Sequence, residues 1–318
     1  MLLSRVADSL YWIARYLERA EHTARVIEVG LDLGLGRTMA STRGAADRLY
    51  ASVDVPGAAA GAAERVSLVT AALFDVANRN SVAACVTVAR ENGRQVREEI
   101  SSDMWEQLNA LFLAVRQLQA TRDRDARQRS LCRTVIEGIH LFQGITDATM
   151  GHGEGWQYLQ AGRFIERAAS TAGLIGRFLI DGATQAAGRL ESIDWVALLR
   201  SCCALEAYCR HYTADVRPER VTEFLLLNAD FPRSVRFAAA RLESAVLALA
   251  RTSGRGAGGR TDRLVGRLHA SLDYGQVDEI LSDNPHAYLA GISRQCAQVH
   301  AALYQTYLAY PIESAIPA

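Results

Sequence analysis

Thirteen residues near the start of the chain return near its midpoint, and the charged members are the most faithfully kept. Residues 15–27 read RYLERAEHTARVI and residues 163–175 read RFIERAASTAGLI, with seven of thirteen positions identical. Each copy holds an Arg-x-x-Glu-Arg core: Arg15, Glu18 and Arg19 in the first, Arg163, Glu166 and Arg167 in the second. Such a set can do two kinds of chemistry. Glu18 or Glu166 could act as general acid or base beside arginines that hold a carboxylate or phosphate. Alternatively, the arginines and glutamates form an internal ion-pair network. Tyr11, Arg15, Glu18, His22 and Arg25 fall at helical steps and make one stripe roughly 120° from the apolar seam. The second copy keeps the centre of that stripe while Ser170 replaces His22 and Gly173 replaces Arg25. A merely solvated face has little reason to keep it, so the spacing predicts a paired, internal site.

A second constellation begins Arg90-Glu91-Asn92 and continues Gly93-Arg94-Gln95-Val96-Arg97, echoed by Pro232-Arg233-Ser234-Val235-Arg236. Both read as helix starts, with one helix stopping at Asn92-Gly93. Backbone N–H groups at such a start, joined by the forked donors of Arg94, Arg97, Arg233 and Arg236, suit a carboxylate or phosphate. The competing reading has these arginines capping neighbouring helix C-termini.

Other chemistries are poorly supplied. All 35 basic residues are arginine, so Schiff-base and P-loop lysine roles are excluded. A di-iron bundle needs a repeated Glu-x-x-His step, and only Glu137–His140 has it, so no metal and no cofactor are expected. No Gly-x-Ser-x-Gly elbow is present. The TSGRGAGGRT stretch at 252–261 follows no strand and lacks the Lys-Ser/Thr ending, and it reads as a connection. With 35 acidic residues the net charge is zero and the pI about 7.1, which offers no global attraction for nucleic acid or anionic lipid. The six cysteines show no C-x-x-C or zinc-finger spacing and read as buried thiols in a reducing cytoplasm. No apolar run approaches the ~20 residues that span a bilayer.

Helices must position these residues. Val6, Leu10, Ile13, Leu17, Ala20, Ala24, Ile27 and Leu31 alternate steps of three and four, and Tyr158, Ala161, Ile165, Ala168, Ala172, Ile175 and Leu179 do the same. Both seams are small at matching points, Ala20/Ala24 and Ala168/Ala172, which predicts a close crossing there. No segment sustains strand alternation. The expectation is an all-α single bundle of about ten to twelve helices, built from two pseudosymmetric five-helix repeats, 1–150 and 151–318, meeting without a linker.

The opening LLSRVADSLYWIARYLERAEHTARV, with TVARENGRQVREEISSDMWEQLN, GEGWQYLQAGRFIERAASTA and EFLLLNADFPRSVRF, resembles the bacterial alpha-E family along nearly the whole chain. Gly151-His152 departs from the charged pair usual before the Glu-Gly-Trp step. The resemblance implies an all-helical domain encoded beside, or fused to, a circularly permuted ATP-grasp protein and a transglutaminase-like protein. It implies membership of a system that makes or modifies peptide-like, amide-linked compounds. By position, its motif residues here are Arg15, Glu18, Arg19, Glu21, Arg25, Arg90, Glu91, Asn92, Arg94, Arg97, Arg163, Glu166, Arg167, Arg233, Ser234 and Arg236. Two functions follow as expectations. One is an accessory binding and assembly component that recognises an anionic small molecule or peptide. The other is an enzyme acting on an amide or peptide-like substrate, with a glutamate as acid or base and arginines as the anion clamp.

Overall fold

The computed structural model describes residues 2–35, 40–53, 62–120, 124–183, 190–213, 215–253 and 258–309. Every regular element among them is helical. In chain order they are α1 (Ser4–Leu35), α2 (Ala40–Ala51), α3 (Ala62–Phe74), α4 (Val82–Gln95), α5 (Ser102–Gln119), α6 (Arg124–Thr149) and α7 (Glu154–Ala183). Then follow α8 (Ser192–Ser201), α9 (Leu205–Tyr212), α10 (Pro218–Leu227), α11 (Val235–Thr252), α12 (Arg260–Asp273), α13 (Val277–Ser282) and α14 (Pro285–Leu303). A π-helical turn, Tyr304–Leu308, closes the described chain. Fourteen helices lie among the described residues, against the ten to twelve expected. The chain breaks between α8 and α9 at Cys203, whose φ of 51° lies in the left-handed region, and the short α13 carries too few residues for a periodic signal. Residues 36–39, 54–61, 184–189 and 254–257, the last within the stretch read as a connection, lie outside the described residues.

The two long helices form the axis of the fold. The α1 and α7 seams are buried, and Ala20, Ala24, Ala168 and Ala172 have no exposed surface. A close backbone approach falls about two turns earlier on each helix. A Cβ on Gly162 would stand 2.2 Å from the Tyr11 carbonyl oxygen, so this crossing admits only glycine there. Around the axis, α4, α6 and α2 pack on α1, while α11 and α14 pack on α7. An outer helix covers each side: α5 over α4 and α6, α12 over α11 and α14. Each fully buried Leu- or Ile-sized side chain contributes about 1.5–3 kcal/mol to this packing. Leu10, Ile13, Ile27, Leu49, Leu73, Met104, Leu108, Leu131 and Ile139 form much of its centre.

Capping fixes where the helices start. Ser81 caps α4 through Ala84 N–H at 3.1 Å, and Ser234 caps α11 through Phe237 N–H at 3.0 Å. Both serines have extended backbone (ψ 153°) and precede a valine. The expected helix start at Gly93–Arg97 is corrected here. Gly93, Arg94 and Gln95 end α4, because the chain turns through 96–99 before Ser101 caps α5. Only the second Arg-x-Val-Arg begins a helix, and the local equivalent of Ser234-Val235 is Ser81-Val82.

Candidate functional site

At the α1–α7 crossing each glutamate turns away from the arginine three residues before it and bonds the opposite helix. Arg19 donates to Glu166 through Nε to Oε1 at 2.7 Å and Nη2 to Oε2 at 3.2 Å. Arg167 donates to Glu18 through the same atoms, Nε to Oε1 at 2.6 Å and Nη2 to Oε2 at 2.7 Å. Arg15 adds a 2.7 Å bond from Nε to Glu166 Oε2. Its counterpart Arg163 stands 3.9 Å from Glu18 and donates to Gln143 at 2.7 Å. The remaining donors of the two forks are also used: Arg19 Nη1 reaches Asn80 Oδ1 at 2.8 Å, and Arg167 Nη1 reaches the Pro232 carbonyl at 3.1 Å. These are bidentate, charge-assisted bonds inside a core where exposure is 1% at Glu18, 5% at Glu166 and 3% at Arg167.

The Glu18 side extends further. Arg233 lies 3.7 Å from Glu18 and donates to Glu21, which is fully buried and also bonded by Arg25 and His140, each at 2.8 Å. Burial alone would raise the Glu21 carboxyl, but Arg233, the His140 bond, Arg25 and Arg167 hold it well below its ordinary range. Glu166 is governed likewise: burial pushes it up, and Arg15 and Arg19 bring it below 4.5. Arg233 is raised despite its burial, by Glu21 and Glu18. Arg163 moves the other way, to about 10, because burial and the neighbouring Arg167 outweigh the pull of Glu18.

The crossing therefore gathers Arg15, Glu18, Arg19, Arg25, Arg163, Glu166, Arg167 and Arg233 in one lattice. It leaves the others apart. Arg90, Glu91, Asn92, Arg94 and Arg97 sit at the end of α4 against α5. Glu91 pairs with Arg90 at 2.5 Å and Arg94 at 2.9 Å, and Arg97 stacks on Trp105 at 5.0 Å. Arg236 caps the Leu227 carbonyl that ends α10, at 3.2 Å, and pairs with Asp273. Ser234 is a buried helix cap. Asn80, Gln143 and His140 are members that sequence spacing gave no sign of, because Asn80 lies in the loop before α4 and the other two on α6, all remote from the repeated motif in sequence. Arg48 and Asp194 form a further buried pair at 2.6 Å, tying α2 to α8.

Beside the Glu166 half lies a cavity of about 770 Å³ between α1, α7, α14 and the end of α2. Its origin is legible in the repeated segment. At the positions aligned with Glu21, His22 and Arg25, α7 carries Ala169, Ser170 and Gly173. The charged residues fill their side of the crossing, while a Cβ on Gly173 would meet nothing within 4 Å. Arg19, Glu166 and His22 line the inner wall, and Arg177, His286 and Arg294 are exposed at the outside. Burial and the charge of Arg233 lower the His22 imidazole to about 4, leaving it neutral near pH 7. Among the described residues no group of three or more His, Cys, Asp or Glu is placed to hold a metal ion. Among the described residues, no helix is long and apolar enough to cross a membrane.

A sequence model of the Alpha-E family, described as a predicted alpha-helical domain with a conserved ER motif, matches residues 2–308. The chain belongs to the Alpha-E family. Two Glu-Arg dipeptides of this Alpha-E chain, Glu18-Arg19 and Glu166-Arg167, are the ones that exchange partners at the helix crossing. Uncharacterized proteins of Mycobacterium bovis and Mycobacterium tuberculosis are each 26% identical to it, aligned over 94% of this chain and 35% of their own length. The chain thus spans about a third of the length of the curated relatives it matches. No solved structure matches it.

Proposed function

We propose that this Alpha-E chain is an accessory binding and assembly component of an ATP-grasp-linked system that forms or modifies peptide-like, amide-bonded compounds. It works beside a circularly permuted ATP-grasp protein and a transglutaminase-like protein, and takes up an anionic group next to its paired Arg/Glu set. One observation carries the preference for binding over catalysis: Glu18 and Glu166 are each held by a forked guanidinium in a buried crossing. Glu166, which Arg15 and Arg19 hold below 4.5, is a poor proton carrier near neutral pH, and both oxygens of Glu18 are taken up by the Arg167 fork. The chain matching only a third of each mycobacterial relative supports a module that acts with other units. The free thiols of all six cysteines fit a reducing, cytoplasmic setting.

The reading includes a duplication, with α1, α3, α4, α5 and α6 matched by α7, α10, α11, α12 and α14. Support comes from the exchanged Glu-Arg forks and the serine caps of α4 and α11. The test is purification of the tagged protein from its native cell, with identification of bound proteins. Recovery of an ATP-grasp protein and a transglutaminase-like protein is expected. Turnover of an amide substrate by the isolated chain, abolished in Glu18→Gln without loss of stability, would move the reading to the enzyme.

A further inference from the structure

The cavity beside Glu166 has a lopsided charge. Glu166 is the one carboxylate among its described lining residues, and Arg15 and Arg19 already hold it. Three guanidinium groups line the same space, Arg19, Arg177 and Arg294. Arg19 is spent on Glu166 and Asn80. Arg177 on α7 and Arg294 on α14 are different: both are exposed, and neither has a hydrogen-bond or ion-pair partner among the described residues. Deeper in, the wall carries no free charge. His22 is neutral and has no hydrogen bond among the described residues, Ser170 and Ser293 offer hydroxyls, and Leu174 and Leu289 offer apolar surface.

The geometry points to this cavity as a binding site for a small organic anion, its carboxylate or phosphate held by Arg177 and Arg294 at the mouth and its uncharged body lying against His22. The size decides against a bare ion, because about 770 Å³ is the scale of sites that enclose whole metabolites. The charge decides the end that faces outward. Guanidinium forks match planar carboxylates and phosphate oxygens, and two of them without counter-ions leave a local field that an anion relieves. A neutral imidazole with neither nitrogen bonded among the described residues can donate one hydrogen bond and accept another, which suits an amide or hydroxyl of the ligand. The site rests on the anion-binding part of the function proposed above, and it names residues on α7 and α14 that the repeated motif does not contain.

Isothermal titration of the full chain with four probes tests it: inorganic phosphate, phosphoserine, glutarate and a Glu-Glu dipeptide, each to about 10 mM. Two variants accompany the wild type. Arg177→Gln/Arg294→Gln changes only exposed side chains. Gly173→Leu places a side chain into open space and leaves the helix intact. The expected result is that at least one organic probe binds more tightly than inorganic phosphate. Both variants should then weaken it about tenfold or more, with melting temperatures unchanged or raised. Phosphoserine ahead of glutarate and the dipeptide identifies a phosphate ligand, and the reverse order a carboxylate; either supports the site. Binding that persists in both variants overturns the location while leaving anion binding standing. No binding of any probe by the wild type overturns the proposal, and an intact partner complex in the same preparation would show that the assembly reading survives it.

Discussion

Arg19 and Glu166 meet across the α1–α7 crossing in a two-bond fork, Nε to Oε1 and Nη2 to Oε2, and Arg167 repeats the fork atom for atom on Glu18. Each helix thus supplies the acid for the other's base. The consequence is a core that tolerates loss of neither partner, because removing one charge leaves the other buried and unpaired.

Glu166→Gln should cost about 3–5 kcal/mol, since Arg15 and Arg19 then lose their shared carboxylate in a buried site. Adding Arg15→Met and Arg19→Met should recover part of that loss. Urea denaturation measures it. A cost under about 1 kcal/mol would show that the crossing is held by packing alone.

Two glycines of α7 should respond with opposite sign. Alanine at either position gains about 1 kcal/mol of helix propensity. At Gly162 the added methyl meets the Tyr11 carbonyl oxygen, a backbone atom that cannot swing away, so Gly162→Ala should destabilise by about 1–3 kcal/mol. At Gly173 nothing opposes the gain, and Gly173→Ala should raise the melting temperature. Equal shifts in the two variants would contradict the close approach at Gly162.

The arginines of the second constellation should separate sharply. Arg233→Lys keeps the charge but gives up the fork on Glu21 and Glu18, at a cost of about 2 kcal/mol or more. Arg94→Lys alters an exposed i,i+3 pair and should stay within about 0.5 kcal/mol. Thermal unfolding of the two variants side by side decides the point; similar losses would return Arg94 to the site.

Acid should weaken the fold earlier than carboxylates alone require. The His22 imidazole sits at about 4 in the folded chain against 6.5 ordinarily, so as pH falls the unfolded chain takes up the proton first. Its contribution is complete above pH 6.5 and is lost as the pH falls towards 4, a change of about 1–3 kcal/mol. His300, bonded to Tyr11 at 2.9 Å and also lowered to about 4, acts in the same window. Glu166, depressed below 4.5, adds its loss only below that value. Melting temperatures from pH 7 to 5 should fall, and His22→Gln should flatten the decline. A flat wild-type profile over that range would refute it.

The residue spacing by itself determined the helices and the charged set. Seams stepping by three and four fix which face of α1 and α7 is buried, and that information is local, contained within a few turns of chain. Partner choice is not local. Arg15 is as close in sequence to Glu18 as Arg163 is to Glu166, and an exposed helix would form those i,i+3 pairs. The crossing chooses Glu166 for Arg15 because buried carboxylates bond whichever guanidinium the opposite helix presents, and that depends on where Gly162 lets the two backbones meet. The echo of Arg94–Arg97 in Arg233–Arg236 was likewise undecidable from the string. A turn after α4 places the first pair in solvent, whereas the Ser234 cap points Arg233 into the lattice. The cavity needs the tertiary structure as well: Gly173 and Ser170 read as divergence in the sequence, and only the packing of α14 and α1 around α7 turns their missing atoms into an open cavity.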